Sequence, residues 1–204
     1  MLITSLNNIC NTANQFFYIN GFNQIHSSNS TFFGYTLSEV IIHYNSSVFN
    51  LPKNAYFSIP SQFVISGDAF IVKTENYIGM TTFGLMESQG RLKYINGCTD
   101  SILIHPVKKG DACLNALYFP EFTSQSPHIH PSIRIGIVSE GKGFAVTKDG
   151  EYLLQKGDAF LIEQKEVHCF KTVDSAMTVI AYHPDSDFGA QDHDHPMINR
   201  TFLS

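Results

Sequence analysis

The sequence predicts an all-β fold, an antiparallel sandwich or barrel. Three observations carry this expectation. Short segments rich in Val, Ile, Phe and Tyr recur from residue 38 onward. Gly, Asp, Asn and Pro punctuate them, as in "SGD", "EGKG", "KDGE" and "KGD", which is the residue chemistry of tight turns. No window sustains an apolar period of 3.6 residues, as a core helix would require.

Taken in order, the strand candidates are "EVIIHY", "AYFSI", "QFVIS", "AFIVK", "RLKYI", "SILIH", "CLNALYF", "RIGIV", "GFAVT", "AFLIE", "HCFKTV" and "MTVIAYH". Near-regular spacing of many short strands is the signature of antiparallel barrels and sandwiches. Residues 1–34 are polar and rich in Asn and Ser, apart from "FFYINGF", and read as an N-terminal extension, with a strand or a short helix as the alternatives for its apolar patch. Residues 35–106 form a β-rich first half and residues 107–183 a second, while the turn-rich stretch 184–204 reads as a tail over the surface.

A weak repeat links the halves. "FSIPS" at 57–61 parallels "HIHPS" at 128–132, and "ISGDAFIVK" parallels "SEGKGFAVTK" further on. Shared β-propensity and turn chemistry produce such likeness without duplication. If the duplication is real, Phe57 and Ile59 stand for His128 and His130, and the first half is a copy without metal ligands.

Bulk properties narrow the function. The 204 residues carry a net charge of −5 with 13 Lys and Arg, none before Lys53. Nucleic-acid binding needs clustered cations and is disfavoured. A secretory or transit leader needs them too, and no apolar run approaches the roughly 20 residues of a membrane span. The expected location is the cytoplasm. Cys10, Cys98, Cys113 and Cys169 form no CxxC pair, so reduced, mostly buried thiols are expected rather than a disulfide scaffold. Cys169 adjoins His168, but neighbours on a strand point to opposite faces.

His128 and His130 fall on a predicted strand, where period two sends both imidazoles to one face. Two such rings can grip one cation if a third ligand comes from another strand, and "GDAFLIEQKEVHCF" offers His168. His193 and His195 make a second HxH, but in a Pro- and Asp-rich tail where loop histidines facing solvent are the better reading. His183 ends the last strand, with a barrel mouth or core packing as alternatives. His26, His43 and His105 have no motif context.

These segments resemble the two motifs of the cupin superfamily. "HIHPSIRIGIVSEG" matches the first at His128, His130 and Gly141, with Arg134 at the Glu place. "GDAFLIEQKEVH" matches the second at Gly157 and His168, with Glu163 and Lys165 in place of its Pro and inner Gly. The resemblance covers about residues 107–183. It implies a jelly-roll barrel, one divalent metal (Fe, Ni, Zn, Mn or Cu) on His128, His130 and His168, and a homodimer. Three imidazoles with open positions suit any of these metals.

Arg134 is the departure that matters. The resemblance points it toward the metal, yet a guanidinium is never a ligand. A dication beside a buried guanidinium is costly unless an anion joins it. That anion is either a protein carboxylate (Glu163, Glu121 or a tail Asp) or a bound carboxylate or enolate held bidentately by Arg134. Three functional readings follow, among them a structural barrel that dimerises through its sheet and has no activity. By resemblance to three-histidine cupin dioxygenases, one is a metal-dependent oxidoreductase of dioxygenase type, with Glu163 and Tyr182 as weak candidates for proton transfer. Another is a non-catalytic module that binds or senses a small anion or a metal. A fold does not choose between them.

Overall fold

The protein is described by a computed structural model that covers residues 1–5, 14–27, 29–198, 201–202 and 204. Strands β1 (Leu2–Ser5), β2 (Asn14–Ile19), β3 (Phe22–Ile25), β4 (Ser30–Thr36) and β5 (Val40–Tyr44) come first. The first half continues with β6 (Ser47–Leu51), β7 (Ala55–Ile59), β8 (Phe63–Ser66), β9 (Ala69–Glu75) and β10 (Thr82–Leu85). Then follow β11 (Leu92–Lys93), β12 (Thr99–Ile104), β13 (Cys113–Phe119) and the long β14 (Arg134–Thr147). Last come β15 (Gly150–Gln155), β16 (Asp158–Ile162), β17 (His168–Lys171) and β18 (Met177–His183). Every strand pairing is antiparallel. The all-β expectation holds.

The first half is two facing sheets, ordered β10-β7-β4-β9-β2 and β3-β8-β5-β6. Alternate residues supply its core: Val40 and Ile42, Phe57 and Ile59, Phe63 and Ile65 are all buried. Period two sends those side chains inward while Ile41 faces solvent. Phe63 meets both Phe32 and Phe57 edge to face, at 5.5 and 6.0 Å between ring centres. Aromatic edges packed on faces fill this barrel with side chains.

The second half has the same order. Its main sheet runs β1-β16-β14-β18-β13-β12-β11, and β14 also pairs with β15 and β17. Thus β16, β14, β18 and β13 take the places of β7, β4, β9 and β2. β14 serves both sheets because it turns at Gly141, whose φ is +76°. A Cβ there would lie 1.8 Å from the Ala176 carbonyl oxygen, so only glycine fits. One cross-strand pair recurs in both halves: Gly34 lies opposite Phe57 and Gly136 opposite Phe160. In each case a Cβ on the glycine would collide with the ring, at 2.0 and 2.3 Å.

The outer faces of the two main sheets pack on each other. Phe33, Tyr35, Phe70 and Val72 meet Leu114, Ile135, Ile137, Ile180 and Tyr182 in one buried cluster. This explains why "STFFGYT" shows no polar alternation: β4 is covered on both faces and every residue in it is buried.

Several sequence expectations change. Residues 1–34 are not merely an extension, because β2, β3 and most of β4 lie within them and pair into the first barrel, while β1 pairs with β16. A boundary at 106 separates β12 from β13, which are neighbours in one sheet. The repeat register also moves. Phe57 and Ile59 sit on β7, the counterpart of β16, and not on the counterpart of the histidine segment. In the tail, Ala190 pairs with Lys108 and Ser186 accepts from the Gly110 N–H at 3.0 Å. No helix among the described residues is long and apolar enough to cross a membrane.

Candidate metal centre

His128 and His130 lie just before β14, on an extended segment and not inside a strand. The segment is nonetheless paired. The His128 N–H donates to His168 O at 2.9 Å and the His168 N–H returns a bond to His128 O at 3.0 Å. Further along, Lys165 N–H donates to His130 O at 2.9 Å, and Gln164 Nε2 to Pro131 O at 2.6 Å. Upstream, Ser126 N–H donates to Asn96 Oδ1 at 2.8 Å. Extended backbone keeps the alternation, so Ile129 is exposed while the flanking imidazoles turn inward.

The three histidines converge. Their candidate ligand atoms lie within 4.8 Å of one another, and the ring centres are 4.5 to 5.0 Å apart. His128 Nδ1 meets Ser126 O at 2.9 Å and His168 Nδ1 meets Glu166 O at 2.8 Å. Those backbone carbonyls fix Nδ1 as the protonated nitrogen and leave Nε2 as the lone-pair donor. His168 Nε2 is buried with no partner, and a buried acceptor of this kind is costly unless something meets it. Burial, then Arg134 and the other two rings, pull His130 down to about 3. Burial first also lowers His168. Both rings are therefore neutral at pH 7, as ligation requires. The donor set fits one divalent transition ion at the usual metal–nitrogen distance of about 2.0–2.1 Å.

Beside the histidines is a cavity of about 100 Å³. Apolar walls come from Leu117, Phe119, Phe160, Ile162, Phe170 and Val179, and polar groups from Arg134, His183, Asp100, Asn115 and Gln125. Arg134 is where strand parity places it: buried and on the cavity wall. Its Nη1 donates to Ser132 Oγ at 2.6 Å and to Ile133 O at 2.8 Å, while Nε is buried without a partner. The nearest carboxylate is a tail Asp, Asp185, at 4.0 Å and half-exposed; the Ser132 hydroxyl bridges the two. Glu163 and Glu121 are exposed. So a loose pair at the cavity edge offsets Arg134, and an ion pair this long and wet contributes little.

The other candidates scatter. Tyr182 points between the two sheets, where its hydroxyl shares a 2.6 Å hydrogen bond with Thr74, so it does not line the cavity. Glu163 faces solvent. His183 is on the cavity wall, and burial followed by Arg134 holds it well below the ordinary histidine range. His193 and His195 stay on the surface beside Lys108 and Lys109. Cys98, Cys113 and Cys169 are buried free thiols; Cys10 lies outside the described residues. Asp100 and Asn115 went unread as site residues. Their signal was a polar side chain on the inward parity of "CLNALYF", among Cys113, Leu117 and Phe119.

Comparison with known proteins agrees with this geometry. Residues 96–196 match the family model for the AraC-like ligand binding domain. No curated protein matches the sequence. Among solved structures, a cupin 2 conserved barrel domain protein from Leptotrichia buccalis superposes with a TM-score of 0.65 at 12% identity, covering 90% of this chain and 89% of that one. A salicylate 1,2-dioxygenase variant from Pseudoaminobacter salicylatoxidans in complex with gentisate gives 0.64 at 11% identity, covering 84% and 68%. Oxalate decarboxylase from Bacillus subtilis, a protein with Mn(II) centres, gives 0.57 at 9% identity, covering 93% and 78%.

Proposed function

We propose that this chain is a member of the cupin superfamily, and that its second barrel holds one divalent transition metal on His128, His130 and His168 and binds a small carboxylate or enolate beside it. The observation that carries the proposal is the pairing of three converging imidazoles with a buried, poorly neutralised Arg134 on one cavity wall. A bound metal would supply Lewis-acid polarisation of an anionic ligand and, if iron, activation of O₂. The chain itself supplies the rest. Nε of Arg134 offers a charge-assisted hydrogen bond to an anion. The apolar walls exclude water, which strengthens every charge interaction inside. The first barrel, with Phe32 in the register place of Arg134 and Phe63 opposite Ile25 in that of His168 opposite His128, is a copy without ligands.

We take the enzymatic reading to be oxidoreductive and dioxygenase-like, which a donor set of three imidazoles with open metal positions beside an anion-binding arginine supports. Cavity size argues for a smaller substrate here. A 150 Å³ apolar cavity is about what benzene fills, so about 100 Å³ suits a molecule of a few heavy atoms. The match to a ligand-binding family favours a second reading, a non-catalytic sensor module.

Metal analysis after anaerobic purification tests the shared premise: one equivalent per chain is expected, and metal-free protein that also rejects added Fe(II), Mn(II) and Zn(II) refutes it. Oxygen uptake by iron-loaded protein against small 2-oxo acids, thiol acids and β-diketones separates the two readings. Turnover supports the enzyme, and binding without turnover supports the module. Arg134→Glu restores the carboxylate of the motif, so it should tighten metal retention and abolish acetate binding; unchanged acetate binding removes Arg134 from its role.

A further inference from the structure

The cavity holds a second set of unmet groups, opposite in kind to Arg134. Asp100 on β12 and Asn115 on β13 lie diagonally across adjacent strands and line the same cavity. The Asn115 Nδ2 donates to Asp100 Oδ2 at 2.8 Å. That bond uses one oxygen of Asp100 and the amide nitrogen of Asn115. It leaves Asp100 Oδ1 and Asn115 Oδ1, both buried and both without a hydrogen-bond partner. Asn115 is 8% exposed. Two neighbouring acceptors that are buried and make no hydrogen bond are as costly as an unpaired donor. Their mutual bond also fixes the amide orientation, since turning Asn115 over would face its oxygen to a carboxylate oxygen.

Other features of the molecule carry less. The tail histidines His193 and His195 are solvent-facing and converge on no third ligand. The cleft lined by Tyr56, Glu87, Arg91 and His105 has its charges already paired, through Arg91 and Ser101 on Glu87. Asp100 and Asn115 stand apart because both residues line the metal-side cavity and each keeps a buried oxygen without a partner.

We propose that Asp100 and Asn115 are specificity-determining residues that select a small carboxylate bearing a hydroxyl or amino group, with that group's hydrogen received by Asp100 Oδ1 and Asn115 Oδ1. The inference rests on the reading of the cavity as an anion site. Arg134 then takes the carboxylate end, and the two acceptors take the donor end. An acid without a donor leaves both acceptors unpaired and binds more weakly. Sites built to bond a hydroxyl or amine discriminate strongly against analogues that lack it, for this reason.

The test compares acetate, glycolate and glycine by calorimetric titration into the zinc-loaded protein, which has no redox turnover to complicate binding. Glycolate or glycine is expected to bind at least about tenfold tighter than acetate, the worth of one well-made buried hydrogen bond. An α-hydroxyl also chelates a metal, so the deciding arm is Asn115→Leu, with Asn115→Ala used if the leucine variant does not fold. The proposal expects the preference to collapse toward unity while acetate affinity holds. A preference that survives in the variant belongs to chelation and overturns the proposal. Equal binding of all three acids by the wild-type protein overturns this inference and leaves the anion site standing. Binding of none of them overturns both.

Discussion

His128 and His168 are locked to each other by two backbone hydrogen bonds, at 2.9 and 3.0 Å, before any side chain is considered. Two of the three candidate ligands are therefore positioned by the sheet itself. In the first barrel the same ladder position pairs Ile25 with Phe63, and Phe63 is buried among Phe32 and Phe57. One backbone scaffold thus carries a polar centre in one half and a hydrophobic plug in the other.

That comparison yields a prediction for His168→Leu. The variant removes a buried, unpartnered Nε2 and substitutes an apolar group. The metal-free variant is expected to be as stable as the parent, or more stable by about 1–2 kcal/mol, because an unmet buried polar atom costs about that much. Metal affinity should fall by more than the ~100-fold that loss of an outer-shell partner brings. Thermal unfolding with and without Zn(II) reads both effects. A large loss of stability without metal would show that the ring is a packing element instead.

Much of this was legible in the sequence. Strand parity put Arg134 on the same wall as the histidines, although the chain bends at Ser132 and only alternation survives. The strands before residue 38 were not legible, because β4 is covered on both faces and so shows no alternation. The true repeat register was hidden for a related reason. All strands share β-propensity and turn chemistry, whereas the pairs Gly34–Phe57 and Gly136–Phe160 become visible only once strands are set side by side. Asp100 was missed because its burial depends on β13, its partner strand, and not on its own neighbours.

The two motif glycines should respond unequally to alanine. Both have positive φ, +76° at Gly141 and +92° at Gly157. At Gly157 nothing lies within 4 Å of a new Cβ, whereas at Gly141 the Ala176 carbonyl is 1.8 Å away. Gly157→Ala should cost about 1–2 kcal/mol of backbone strain. Gly141→Ala adds a backbone clash at the point where β14 changes sheets, and should lose at least about 3 kcal/mol or fail to fold. Urea midpoints of the two variants check the order; equal losses would remove the claim that Gly141 is needed for close approach.

Lys165 holds the place where the second cupin motif has its inner glycine, and its φ is +60°. The left-handed backbone aims its N–H at His130 O, 2.9 Å away, so the loop conformation supports a ligand-bearing segment. The side chain is exposed and the conformation is strained for a residue with a Cβ. Lys165→Gly relieves that strain but frees the unfolded chain. The net expectation is a change between zero and about +1 kcal/mol in stability, with metal affinity preserved. A loss beyond about 1 kcal/mol would mean that the lysine side chain, not the backbone, holds the loop.

Acid should unfold the metal-free protein earlier than its carboxylates alone require. His130, His168 and His183 are all shifted downward, first by burial, with His130 near 3. In the unfolded chain each returns to about 6.5. Between those values the unfolded state binds protons that the native state refuses. The stability held by these neutral rings is complete well above pH 6.5 and is lost progressively as pH falls through it. Each ring contributes at most about 1.4 kcal/mol per pH unit across that window. Urea titrations of the metal-free protein at pH 7.5, 6.5 and 5.5 should show the midpoint falling slightly over the first interval and about three times as much over the second, before most carboxylates protonate. His183→Phe should shrink the fall while leaving the three candidate ligands in place. A midpoint unchanged down to pH 5.5 would mean that these rings take up protons in the native state and that the cavity is wetter than its walls imply.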